Sequence, residues 1–234
     1  MKTITQLTKN KIIDAFREAE QDKSGLREFE RDLYGASGRK TRHAINNICG
    51  VKDNLTYLEL GIYRGSTLVA ANYDNKLTTY AIDDFTIDIK EPKQYKENGW
   101  GNARQATKEL LDRYNFSNVN IIEDEANSVD TKKIAKKVDI VHYDLDEHHA
   151  NAEQVLRHYL SVFDKHTVLM FSNWNSNGLR NSFAQFKKTP GIEVEMLFEK
   201  LSTATADSLN WYNGFAVFLF TLNAKGAEKE VKNG

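Results

Sequence analysis

One cysteine in 234 residues, Cys49, leaves no partner for an internal disulfide and no thiolate cluster for zinc. This shortage fits a reducing compartment, and Cys49 itself reads as a small buried apolar residue. Proline is also scarce. Pro92 and Pro190 stand alone, and no repeat or low-complexity linker divides the chain. Charge of one sign is lacking too: 32 basic and 33 acidic residues give a formal net charge of -1, with no long block of either sign to follow a nucleic acid backbone. Nucleic acid is therefore not the expected partner. The longest strongly apolar stretch, Gly214 to Leu222, is far too short for a helix to cross a bilayer. Met1 to Phe16 mixes charged and apolar residues without the apolar segment of a secretory signal. No membrane partner and a cytoplasmic location are expected.

What is present suffices for one full core, since 40% of the residues are hydrophobic. Lys9 to Leu33 and Lys40 to Cys49 are rich in helix formers, so residues 1–50 read as an N-terminal helical extension. From Leu55 onward short apolar runs alternate with helical stretches, the pattern of βαβ units around a largely parallel sheet. Strands are expected at Thr56 to Leu60, Thr78 to Ile82, Val119 to Ile122, Ile140 to Tyr143 and Thr167 to Phe171. Helices are expected at Ser66 to Tyr73, Asn102 to Tyr114, Val129 to Lys136, Ala150 to Phe163 and Leu179 to Lys187. Glu193 to Phe198 and Phe215 to Leu222 read as two strands without a helix between them, hence an antiparallel pair. The main domain then spans 51–223, and the polar residues 224–234 read as a disordered tail.

The segment Leu58-Glu59-Leu60-Gly61-Ile62-Tyr63-Arg64-Gly65-Ser66-Thr67 runs from an apolar strand through a glycine turn into a helix. Gly61 and Gly65 permit positive φ or a close backbone approach to a ligand. Ser66 or Thr67 can cap the next helix, whose free amides favour an anionic group. A tight structural turn would also use these glycines. About twenty residues on, Ile82-Asp83-Asp84 ends the second strand with carboxylates, where nucleotide-binding α/β folds hold ribose hydroxyls. Asp83 is the first choice for that role.

These stretches resemble the class I S-adenosylmethionine-dependent methyltransferases, especially the branch called the methyltransferase 24 family, over about Tyr57 to Asn175. The match lies in Glu59 to Ser66, a Glu-hydrophobic-Gly-x-x-x-Gly-Ser stretch, and in Ile82-Asp83. The resemblance implies a Rossmann-like three-layer α/β/α sandwich with a mostly parallel seven-stranded sheet and a C-terminal antiparallel pair. It implies that Glu59, Gly61 and Gly65, with Tyr63, Ser66 and Thr67 in the same turn, surround the methionine part of S-adenosylmethionine, and that Asp83 holds its ribose. It further implies that Asp124 or Glu125, next to Ala126, borders the adenine. Tyr63 stands where many relatives carry glycine, which leaves less room for a dinucleotide pyrophosphate.

Asp144-Leu145-Asp146-Glu147-His148-His149 follows the fourth strand and corresponds to the family's Asp-Gly-Asp-His stretch. A ligand beyond the carboxyl ends of the strands would lie beside it. Asp144 is read as a cofactor contact, and Asp144 and His148 as acceptor-side catalytic groups, with a general base or a Mg²⁺ site as the chemical alternatives. The fifth strand ends in Ser172-Asn173 where metal-binding relatives carry paired aspartates, so no metal ligands are assigned and a divalent metal is not favoured. Trp174, Trp211 and Tyr212 read as packing or as an acceptor-pocket wall, Arg39 to His43 as a solvated helix face or an anion-binding lid, and Tyr95 and Trp100 as a cover for the cofactor. The expected activity is methyl transfer to a hydroxyl of a small-molecule or glycan acceptor, with self-association as a homo-oligomer left open. A nicotinamide-dependent oxidoreductase and a non-catalytic S-adenosylmethionine-binding protein are the rivals.

Overall fold

Seven strands form one sheet in the order β3-β2-β1-β4-β5-β7-β6. The computed structural model describes residues 6–86, 102–145, 151–204 and 206–223, without the side chains of 6–8. The strands are β1 (Leu55–Leu60), β2 (Leu77–Ile82), β3 (Val119–Ile122), β4 (Val138–Tyr143), β5 (Phe163–Ser172), β6 (Ile192–Lys200) and β7 (Phe215–Leu222). Around them lie α1 (Gln6–Glu20), α2 (Glu28–Arg31), α3 (Arg39–Cys49), α4 (Ser66–Asn72), α5 (Ala103–Tyr114), α6 (Ala152–His158) and α7 (Asn177–Phe186). The first five strands are parallel, and β7 runs antiparallel between β5 and β6. The expected mixed sheet with its antiparallel end is thus present.

Every residue of β1 and β4 is buried, which explains why both read as near-continuous apolar runs. Alternation then divides their side chains between two cores. Tyr57, Ala81, Ile140, Met170 and Phe215 face the layer that holds Ile12 and Phe16 of α1, Ile45 of α3 and Leu68 of α4. Leu58, Leu60, Val141, Tyr143 and Phe171 face the other, with Leu156 of α6 and Phe183 of α7. The N-terminal helices therefore share one core with the sheet. At the edge, β6 carries Glu193, Glu195 and Glu199, charges that discourage pairing with another strand.

Two departures from the expected elements have physical causes. Val129 to Lys136 forms only a 3₁₀ turn at Thr131–Lys133, because Val129 and Ile134 alone are buried while the lysines face solvent. The helix expected through Phe163 ends at His158, since Phe163 opens β5 and packs edge-on against Phe220 at 5.5 Å.

Parallel crossovers turn to opposite sides at β1, with β2 and β3 on one side and β4 and β5 on the other. This reversal opens a crevice at the carboxyl ends of β1 and β4, the position where open α/β sheets bind ligands. The glycine turn and Asp144 both lie there.

Candidate functional site

The turn after β1 is built by backbone conformation. Gly61 has φ +90°, and a Cβ there would stand 2.5 Å from the Asp144 carbonyl oxygen, so only glycine lets the β1 and β4 ends approach this closely. Gly65 has φ +79° and forms the N-cap of α4. Tyr63 also lies in the left-handed region, at φ 53°. The sequence suggested Ser66 or Thr67 as the cap. Instead Thr67 Oγ1 donates to Glu59 at 2.6 Å, and Ser66 Oγ sits 3.3 Å from Ser37 Oγ. Both hydroxyls are committed inward, and the cap makes no side-chain bond.

Glu59 is fully buried. Tyr57 Oη donates to its second carboxyl oxygen at 2.7 Å. Burial pushes its carboxyl group up to about 7, against the two hydroxyl donors that favour the ionised form and with a further upward push from Asp83. Asp83, half-buried, accepts at Oδ2 from the amides of Ile62 at 2.6 Å and Tyr63 at 2.9 Å, and at Oδ1 from Phe85 at 2.7 Å. It therefore locks the glycine turn to the end of β2 and, among the described residues, keeps one lone pair on Oδ1 for a further donor.

Asp144 follows β4, with its amide donating to Leu60 at 2.8 Å. The residue keeps part of its surface accessible while its carboxyl group is enclosed. Burial, together with Glu59 and Asp83, raises that group well above the usual carboxylate range, and the Ser172 hydroxyl pulls it back. Asn173 Nδ2 donates to Asp144 Oδ1 at 3.1 Å. Among the described residues a hard cation would find here the Asp144 carboxylate, the Ser172 hydroxyl and an Asn173 amide that turns its nitrogen toward Asp144.

Asp124 and Glu125 sit near the surface after β3. Asp124 accepts from the Glu125 amide at 3.0 Å, and the Ala126 carbonyl accepts from Tyr159 Oη at 2.6 Å, which fixes this loop to the end of α6. Asp146, Glu147, His148 and His149 lie outside the described residues, as do Tyr95, Trp100 and the tail 224–234. Trp174 packs against Phe171, Phe183 and Phe218, and Trp211 stacks on Phe16 at 5.0 Å, so both belong to the core. Tyr212 differs. It is half-buried at φ 56°, and burial, with the Asp144 charge second, raises its phenol.

The Arg39 to His43 run is neither a solvated face nor a lid over its whole length. Thr41, Arg42 and His43 are buried, and Arg42 bonds Ser37 through Nε at 2.9 Å and through Nη2 to the carbonyl at 2.8 Å, with Nη1 on the Arg31 carbonyl. Sequence reading also missed His142 and Ser172, whose Nε2 and Oγ atoms are 2.8 Å apart in full burial. Their one signal was parity: each is polar at a strand position that faces a core.

Of two surface clefts, the smaller borders the turn through Thr107, whose hydroxyl donates to the Tyr63 carbonyl at 3.1 Å. One of about 1020 Å³ is lined by Arg27, Phe29, Leu33, Tyr34, Arg113 and Tyr114, and one of about 650 Å³ by Phe85, Asn102, Arg104, Thr107, Ile121 and Glu123. Neither has Asp83 in its wall. The chain leaving β2 and β4 enters residues 87–101 and 146–150, outside the description.

No protein-family model and no curated sequence matches the chain. Solved structures do. A provisionally named caffeoyl-CoA O-methyltransferase from Staphylococcus aureus superposes with a TM-score of 0.56 at 17% identity, over 92% of this chain and 99% of that one. SMU.1697c from Streptococcus mutans, provisionally a methyltransferase and solved in complex with SAH, gives 0.51 at 14% identity over 73% and 90%. An rRNA methylase from Streptococcus thermophilus gives 0.50 at 10% identity over 79% and 96%. At such identities the likeness establishes the fold alone, the Rossmann-like α/β architecture that these structures share with this chain. Among the described residues no helix is long and apolar enough to cross a membrane.

Proposed function

We propose that this protein is an S-adenosylmethionine-dependent methyltransferase that acts on a hydroxyl of a small-molecule or glycan acceptor. The observation that carries this reading is the convergence of Glu59, Asp83 and Asp144 at the carboxyl ends of β1, β2 and β4, around a glycine turn at the switch point of the sheet. Carboxyl groups gathered at one site favour a cationic ligand over an anionic one. A sulfonium compound with an α-ammonium group matches that sign, and a dinucleotide pyrophosphate opposes it.

Bound here, S-adenosylmethionine would supply an electrophilic methyl group. Glu59, Gly61 and Gly65 would surround its amino-acid part, Asp83 the sugar, and Asp124 or Glu125 the adenine. Asp144 would take the hydroxyl proton as the acceptor oxygen bonds to carbon and the carbon–sulfur bond breaks to leave neutral S-adenosylhomocysteine. The near-neutral charge of the chain supports a small acceptor rather than a nucleic acid.

The three amides on Asp83 favour a second reading for that residue alone, in which it shapes the turn and the ribose is held elsewhere. Calorimetry with purified protein tests the main reading. S-adenosylhomocysteine should bind and NAD should not; the reverse result removes the assignment. Mass spectrometry of gently purified protein for a retained adenosyl ligand supplies an independent check.

A further inference from the structure

His142 and Ser172 lie on the sheet face that carries Glu59 and Asp144. In the parallel register of β4 and β5, His142 stands opposite Met170 and Tyr143 opposite Phe171, so Asp144 comes opposite Ser172 one step later. The imidazole is fully buried, ring to ring with Phe215 at 6.5 Å, and its Nε2 lies 2.8 Å from Ser172 Oγ. Among the described residues its Nδ1 has no hydrogen-bond partner.

That orphan fixes the direction of the contact. A bare buried N–H is rarer and more costly than a bare lone pair, so the imidazole proton is assigned to Nε2, which donates to Ser172. Ser172 has one hydrogen to give, and with Nε2–H occupying an Oγ lone pair that hydrogen is free for the carboxyl group across the strand pair. We propose that His142 and Ser172 are positioning residues that hold the Asp144 carboxylate toward the acceptor through a one-way chain, His142 Nε2–H to Ser172 Oγ and Ser172 Oγ–H to Asp144. The inference rests on the reading of Asp144 as the acceptor-side base.

The hydrogen bond from Ser172 favours ionised Asp144 against burial and against the charges of Glu59 and Asp83. Among the described residues the other groups that face it are Tyr57 of β1, Tyr212 before β7 and the amide of Asn173. His142 stays neutral, because burial pulls its imidazole down to about 3. Neither residue needs to touch an acceptor for this effect.

The full chain with ¹⁵N-labelled histidine tests the direction. Long-range ¹H–¹⁵N spectra from pH 5 to 8 should show His142 neutral with its proton on Nε2, and a proton on Nδ1 overturns the chain as drawn. A ¹³C-carboxyl titration, with Asp144 assigned through D144N, tests the consequence. The Asp144 midpoint should move up in S172A and in H142F, while S172T and H142Q, which keep the hydroxyl and the ε donor, should titrate like the wild type. An unmoved midpoint in folded S172A refutes the proposal; if S172A does not fold, H142F against H142Q decides. Calorimetry with S-adenosylhomocysteine on the same proteins separates the two readings. Ligand binding with an unmoved midpoint defeats the relay alone, and a moved midpoint without binding defeats the methyltransferase alone.

Discussion

Glu59 of β1 and His142 of β4 are register partners in the centre of the sheet, both fully buried and both pressed toward their neutral forms. Their effects on stability run in opposite directions. Glu59 binds its proton more tightly folded than unfolded, so its contribution is full below pH 4.5 and is lost as pH rises through about 7. Its size is roughly 3 kcal/mol at about 1.4 kcal/mol per unit. Urea unfolding of wild type and E59Q at several pH values should show their stability difference shift by that order between pH 4.5 and 7. A parallel pair of curves would contradict the burial of a titrating Glu59.

His142 binds its proton less tightly in the folded state, so the fold is favoured above pH 6.5 and loses that contribution as pH falls toward 3. Relative to wild type, H142Q should lose less stability below pH 6.5, because the glutamine does not titrate. Denaturant midpoints at pH 7 and pH 5 suffice to read the sign.

Asp83 accepts from three amides of two loops, so removing its carboxylate takes away the hydrogen bonds it gives Ile62, Tyr63 and Phe85. D83A should cost about 1–3 kcal/mol of stability through the loss of those bonds. If Asp83 also holds the sugar, S-adenosylhomocysteine affinity should fall at least about tenfold, or about 1.4 kcal/mol. Equal affinity in a folded D83A would leave Asp83 with the turn alone.

The elements that could be read from the sequence are those whose burial is written in consecutive residues. Leu77 to Ile82 and Val138 to Tyr143 are covered on both faces, and their apolar runs say so. The Val129 to Lys136 region misled because helix formers without a buried face do not hold a helix. At the site, Glu59, Asp83 and Asp144 were visible as acids at strand ends. Ser172 and His142, thirty residues apart, and Arg42 under Ser37 were not, because their partners are set by packing rather than by spacing.

Gly61 is held on both sides. Its amide donates to the Ile82 carbonyl at 2.9 Å, and the Asp144 carbonyl occupies the place of a side chain. G61A therefore combines left-handed strain, roughly 1–3 kcal/mol, with a backbone overlap that neither strand can relieve alone. Thermal unfolding should shift downward, and S-adenosylhomocysteine binding should weaken even at temperatures where the variant is folded. A variant as stable as the wild type would mean that the β1 and β4 ends part easily.

Among the described residues Arg42 is buried without a carboxylate in hydrogen-bond contact, and burial pulls its guanidinium down to about 10 despite the Asp32 charge. What it holds is backbone: the carbonyls of Arg31 and Ser37, with Ser37 in turn against Ser66 at the start of α4. The segment 31–38 is thereby pinned beside the glycine turn, and a Cβ on Gly35 would reach Ser66 Oγ at 2.2 Å. R42M keeps much of the stem's packing and removes every donor, so it should release this segment more than it unfolds the core. Limited trypsin digestion should then cut at Arg31 or Arg39 well before the wild type is cut, with the far-ultraviolet spectrum of the folded chain retained. If those bonds stay protected in R42M, the guanidinium is not what holds the segment against α4.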